Sequence, residues 1–196
     1  PKEKKTAQTA LFGADLVVDA SDPSKGVIPV RVPAGKHFRF RFAFAWFAPE
    51  WRDSSGEAHV HYYRTRYANA AEVAAQTLPA YDRLLKRVLG WQNEIYQSKY
   101  PDWMKDSLIQ GFYSLTKNSV WIAKTRHDQW WDSEDGWFTH NESHTGCPIT
   151  ETMVCRMHGH FPLLLFFPEL EKTTLKAFQH FQISDGEIPF SFGGGT

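Results

Sequence analysis

The chain has 196 residues, of which 42% are apolar, 15% aromatic and 22% charged, the usage of an ordinary globular protein. Lys and Arg number 22, as do Asp and Glu, so the formal net charge is zero and no general attraction to nucleic acid or an anionic membrane is expected. This composition excludes wholesale disorder, collagen and, with two cysteines (Cys147 and Cys155), a disulfide framework.

The longest nearly charge-free apolar stretch, around Phe161 to Phe167, falls far short of the ~20 residues that a bilayer helix needs, so stable membrane insertion is not expected. The opening Pro1-Lys-Glu-Lys-Lys has no apolar run behind it and does not read as a signal peptide. A cytoplasmic location is the expectation.

In chain order, strands come first. Leu16-Val-Val-Asp and Val27-Ile-Pro-Val-Arg-Val are short candidates on either side of the turn cluster Ser21-Asp-Pro-Ser-Lys-Gly26. Phe38 to Trp46 alternates strictly, with Phe38, Phe40, Phe42, Phe44 and Trp46 on one face and Arg39 and Arg41 on the other. The pattern predicts a strand whose aromatic face is a sandwich core; a sugar-stacking platform is the lesser reading.

Helices follow. Ala68 to Gln97 carries buried-stripe spacing through Val73, Leu84, Leu85, Val88, Trp91 and Ile95, with a break expected at Pro79. Asp102 is expected to cap a second helix across Trp103, Leu108, Phe112 and Leu115. Val120 to Ala123 reads as a short buried strand. Thr152 to Phe166 and Pro168 to Gln182 read as two further helices.

Between them the composition changes. Residues 127–151 hold six carboxylates and no Lys or Arg, together with Trp130, Trp131, Trp137, Phe138, His127, His140 and His144. Flat aromatic faces beside directional polar groups suit sugars, whose C–H faces stack and whose hydroxyls bond to carboxylates. A glycosidase needs two carboxyl groups astride the scissile bond. Glu142 and Glu151 are the candidates, while Asp132, Glu134 and Asp135 read as a solvated turn.

A metal is not expected. His158 and His160 diverge by about 200° on a helix, and neither CxxC nor HExxH spacing occurs around Cys155, His140 and His144. Cys147 and Cys155 have no nearby base that would make either a nucleophile.

Several blocks, in order, resemble glycoside hydrolase family 116, which includes β-glucosidases and the non-lysosomal glucosylceramidase. They are Phe40-Arg-Phe-Ala-Phe-Ala-Trp46, His61-Tyr-Tyr-Arg-Thr-Arg-Tyr67, Trp91-Gln, Pro101-Asp-Trp-Met-Lys-Asp-Ser-Leu, Val120-Trp-Ile122, Gly136-Trp-Phe-Thr-His-Asn-Glu142 and the run His158 to Glu171. The resemblance implies a mixed fold: the end of an N-terminal β-sandwich over 1–66, then the first helices of an (α/α)6 barrel over 67–196.

It implies retaining hydrolysis of β-linked glucosides, with xylosides or glucosylceramide as variants and no cofactor. By the G-x-F-x-x-x-E match, Glu142 is the nucleophile; His140, His144, Trp137 and Glu151 are the substrate-binding candidates, and Glu151 is the second choice for nucleophile. Val154 stands where many members carry a sugar-binding Asp, and His158 and His160 replace a Tyr and a small residue. The acid/base Asp is expected beyond Thr196. The chain therefore reads as an incomplete fragment whose partner is the remainder of the same polypeptide. The alternatives are a non-catalytic carbohydrate-binding or structural module and, behind it, a metal hydrolase.

Overall fold

Helix and strand boundaries follow local chemistry wherever it is strong. A computed structural model describes residues 8–12, 17–18, 21, 25–53, 56–141, 150–153, 156 and 160–193. Glu142, His144, Cys147, Val154, Cys155 and His158 lie outside the described residues.

Helix α1 (Ala70–Thr77) begins where Asn69 accepts a hydrogen bond from the Glu72 amide at 2.9 Å, while Glu72 reaches back to the Ala68 amide at 2.6 Å. The chain breaks around Pro79, as expected, and resumes as α2 (Tyr81–Tyr96). Helix α3 (Asp102–Asn118) differs in one detail. Pro101 occupies the cap position with no side-chain cap bond, and Asp102 is the first helical residue, paired with Lys105 at 3.1 Å.

Ten short strands form five antiparallel two-stranded sheets among the described residues, giving a mixed α/β arrangement of small unclosed sheets. The described chain divides into two units: Pro1–Pro49 with Thr65–Gly90, and Glu50–Arg64 with Trp91–Thr196. No described helix is long and apolar enough to cross a membrane.

In the first unit, β1 (Gln8–Phe12) pairs with β4 (Ala43–Phe47), and β2 (Val17–Val18) pairs with β3 (Gly26–Val27). The aromatic ladder corrects the sequence expectation twice. Only its last residues are strand, and its aromatic face is outward: Phe44 is 58% and Trp46 73% exposed, while Ala45 and Phe47 are buried. The reason is the cover. Helix α1 packs on β1 and β4 with Ala70 and Ala74 buried, and the alternate strand face, with the small Ala45, accepts that close approach. Phe38, Phe40 and Phe42 stack along the chain with centroids 6.1–6.3 Å apart.

The second unit is built on a hairpin. Strands β5 (Glu50–Arg52) and β6 (Ala58–Val60) form one pair. Strands β7 (Ser119–Ile122) and β8 (Trp137–His140) form another, in the register Ser119↔His140 to Ile122↔Trp137. One face of the β7–β8 hairpin places Val120, Ile122 and Trp137 with Trp131 and Ala177. The other places Phe138 with Leu115 and Leu163.

Where the second sheet begins, Gly136 has a φ of 65°. A Cβ there would collide with the Ile122 carbonyl and lie 2.7 Å from the Tyr62 ring, so only glycine fits. The Tyr62 ring stacks on Trp121 at 4.1 Å, which seals this turn.

Of the helix expected from Thr152 to Phe166, the described residues Met153 and Arg156 and α4 (Phe161–Phe166) are helical, while Thr152 ends the strand β9 (Thr150–Thr152) and His160 is a bend. Helix α5 (Pro168–His180) matches its expectation closely, and β10 (Ser191–Gly193) pairs with β9. Gly111 lets α3 approach α4: a Cβ there would meet Pro162 Cγ at 2.5 Å.

The edge of β8 that β7 leaves unpaired receives side chains. The Phe138 amide donates to Thr173 Oγ1 at 2.9 Å, and Thr174 Oγ1 donates to the Phe138 carbonyl at 2.7 Å. Thr173→Val keeps the shape and strands a buried N–H. We expect a loss of about 1–3 kcal/mol, read as a lowered urea midpoint with an unchanged m-value.

Candidate functional site

The same edge of β8 continues into a buried ionic cluster. Glu151, on β9, is 1% exposed and has a φ of 55°, the left-handed region that non-glycine residues rarely occupy. The β9 strand arrives opposite β8 through the bridge Asn141↔Thr150. Glu151 Oε2 accepts from the His140 amide at 3.0 Å and lies 3.4 Å from the Thr139 hydroxyl. Its other oxygen, Oε1, lies 3.4 Å from Arg156 Nη1.

Glu171 completes the group from the first turn of α5. It accepts from Arg156 Nη2, and its Oε2 lies 2.8 Å from His160 Nδ1. His160 Nε2 stands 3.0 Å from Glu151 Oε1 without the alignment of a hydrogen bond. One guanidinium and one imidazole therefore bridge two buried carboxylates. Burial pulls the Arg156 guanidinium below its ordinary value, with Glu151 opposing that shift. The His140 ring faces His160 edge-on at 5.7 Å, and its Nδ1 meets Ser119 Oγ at 3.0 Å.

The structure thus brings two of the sequence candidates, His140 and Glu151, into direct contact. Trp137 lies three strand positions before His140, in an aromatic cluster with Trp130 and Trp131 at centroid distances of 5.3 Å. Glu142 and His144 fall outside the described residues. Asp132, expected in a solvated turn, is exposed there and paired with Lys176 at 2.7 Å, which holds its carboxyl below the usual range.

Sequence reasoning did not single out Arg156, Glu171 or Thr173. The spacing Glu151, Arg156, His160, Glu171 has no helical or strand period, so no local pattern marks it. Glu171 reads from sequence as an ordinary first-turn acid of a helix that starts at Pro168.

A second constellation lies on the β5–β6 hairpin. Asp53, Glu57 and His59 offer one donor atom each, all within 4.8 Å. Asp53 Oδ2 lies 3.0 Å from His59 Nε2, Asp53 Oδ1 accepts from the Glu57 amide, and Glu57 pairs with Arg126. Two oxygens and one nitrogen would suit zinc or manganese. Such an ion would have to displace Arg126 from Glu57 and the His59–Asp53 contact, so the donors are engaged as they stand.

Comparison with protein-family models and with curated protein sequences finds no match. The functional reading therefore rests on the residues themselves.

Two outcomes follow from this geometry. Arg156→Met would leave two buried carboxylates without their guanidinium and should cost about 3–5 kcal/mol. Adding Glu151→Gln should recover part of that loss, a coupling read by a double-mutant cycle in urea. His61 bridges Ile122 and stacks on Tyr63 at 5.3 Å, and burial lowers its pKa from the ordinary 6.5. Below that value the unfolded chain binds the proton and the folded chain resists it. The contribution is thus full above about 6.5 and declines as pH falls towards the folded value. His61→Phe should flatten that part of the stability–pH curve.

Proposed function

We propose that the chain supplies the nucleophile side of a retaining hydrolase of β-linked glucosides, built as the end of a β-sandwich followed by the first helices of an (α/α)6 barrel. The observation that carries this reading is Glu151. It is a fully buried carboxylate on strained backbone, fixed by the His140 amide and flanked by Arg156 and His160. Strained, over-determined carboxylates of this kind cluster at functional sites.

In this reading Glu142, which follows Asn141 directly in sequence, attacks the anomeric carbon. The leaving oxygen takes its proton from an Asp elsewhere in the polypeptide. Water then hydrolyses the glycosyl–enzyme ester, and that Asp removes the water's proton. Glu151 and His140 act behind the sugar as a fixed negative charge and its support.

The test is labelling with a dinitrophenyl 2-deoxy-2-fluoro-β-glucoside, which departs without acid assistance. It is applied to the chain and to the chain carried within its longer polypeptide, with the modified residue read by peptide mass spectrometry. We expect the label on Glu142, and Glu142→Gln to lower kcat of the longer polypeptide by at least about 10³-fold. A label on Glu151 would reverse the roles of the two carboxylates. Absence of label on the folded longer polypeptide, or near-normal kcat in Glu142→Gln, would overturn the reading.

A further inference from the structure

The β5–β6 hairpin is closed by two backbone bonds. The Asp53 amide donates to the Glu57 carbonyl at 3.1 Å, and the Gly56 amide donates to the Asp53 carbonyl at 3.0 Å. Continuing the register from Arg52↔Ala58 sets Asp53 opposite Glu57, with His59 two residues further along β6. A tight turn thus gathers two carboxylates and an imidazole.

Two of these donors are aimed by the fold. The His59 ring, 4% exposed, packs on Trp51 and Trp131 with centroids 5.5 and 6.1 Å away. Its Nε2 lies 3.0 Å from Asp53 Oδ2. Asp53 in turn is oriented by the backbone, since its Oδ1 accepts from the Glu57 amide at 2.9 Å. Side chains locked in this way by packing and by hydrogen bonds behind them are what a metal centre needs in its ligands. Glu57 is exposed, which leaves it the freedom to close on an ion.

The spacing fits. Two ligands on one tetrahedral zinc stand about 3.3 Å apart. The Asp53–His59 pair is already at 3.0 Å, and all three donor atoms lie within 4.8 Å. Closing the set therefore takes at most about 1.5 Å of movement, which the Glu57 side chain supplies. All three residues line a cleft of about 360 Å³, which gives a fourth position room for water.

A cation already stands at this place. Arg126 Nη2 pairs with Glu57 Oε1 at 2.5 Å, and its Nε pairs with Asp128 Oδ1 at 3.2 Å. One guanidinium thus faces three carboxylates, those of Asp53, Glu57 and Asp128, around the same cleft. The Arg126 and Glu57 side chains are 47% and 44% exposed, so their pair is screened by water and yields readily to a divalent ion. The imidazole narrows the choice of ion. Calcium and magnesium prefer oxygen alone, and a nitrogen–oxygen set binds zinc above manganese.

We propose that Asp53, Glu57 and His59 form a Zn²⁺ site in which Arg126 holds the place of the ion when none is bound. Zn²⁺ would take His59 Nε2 and one oxygen from each carboxylate, releasing the Glu57–Arg126 pair. None of Glu151, Arg156, His160 or Glu171 contributes a donor, so the site stands apart from the hydrolase reading.

The test is calorimetric titration of the chelator-treated full chain with Zn²⁺, with Mn²⁺ and Ca²⁺ in parallel, and X-ray absorption at the zinc edge. We expect one equivalent of Zn²⁺ bound more tightly than Mn²⁺, Ca²⁺ failing to compete, and a shell of nitrogen and oxygen without sulfur. Asp53→Asn and His59→Ala should each weaken Zn²⁺ at least about tenfold. His59 is buried, so if that variant fails to fold the exposed Glu57→Gln decides, with a loss of the same order. Arg126→Ala should act in the opposite direction and tighten Zn²⁺ several-fold, an effect that a purely structural ion pair would not produce. Glu169→Gln, an exposed carboxylate on α5, should bind as the parent does.

Absence of stoichiometric Zn²⁺ binding, sulfur in the shell, or competition by Ca²⁺ would overturn the proposal. Parental affinity in any folded donor variant, or failure of Arg126→Ala to tighten binding, would do the same.

Discussion

Among the described residues, strand β8 pairs with β7 along one side, and on the other β9 meets only its end, through the Asn141↔Thr150 bridge. The free backbone groups of β8 must find partners or pay the full cost of burial. They find them in side chains: Thr173 and Thr174 serve Phe138, and Glu151 serves His140. A helix and a carboxylate thus do the work of a missing strand. This arrangement locks α5 against the hairpin and sets the depth at which Trp137 and Phe138 enter their two apolar clusters.

The buried cluster follows from that constraint. Once Glu151 is committed to the edge of β8 through Oε2, its Oε1 lies inside the protein and needs compensating charge. Arg156 provides it, and a second nitrogen of that guanidinium and His160 Nδ1 meet Glu171 at the start of α5. The carboxylate that shields the strand edge is therefore the one whose position is most tightly specified. Such fixing is what a charge beside a reacting centre requires, since it costs no reorganisation during the reaction.

Around the β5–β6 hairpin the pattern is the opposite. His59 Nδ1, Gln129 Nε2 and Trp131 Nε1 are buried and have no partner among the described residues. Gln129 shows the contrast within one side chain, with an oxygen satisfied twice by the chain and a nitrogen left open. The indoles of Trp130, Trp131 and Trp137 pack on one another with ring centroids 5.3–5.4 Å apart.

The sequence by itself determined the elements whose causes are local. The break at Pro79, the helix from Pro168 and the strand at Val120 came from ring geometry, capping and apolar periodicity. Composition likewise drew attention to the aromatic, acidic stretch that holds Trp137, His140 and Glu151. Tertiary structure alone decided the rest. Alternation at Phe38–Trp46 specified two faces but not which one α1 would cover, and the smaller face took the helix. The bridging of Glu151 to Glu171 through Arg156, and of His59 to Trp131 through their rings, crosses long stretches of chain. Such contacts arise from which surfaces pack together, and no residue spacing along the sequence encodes them.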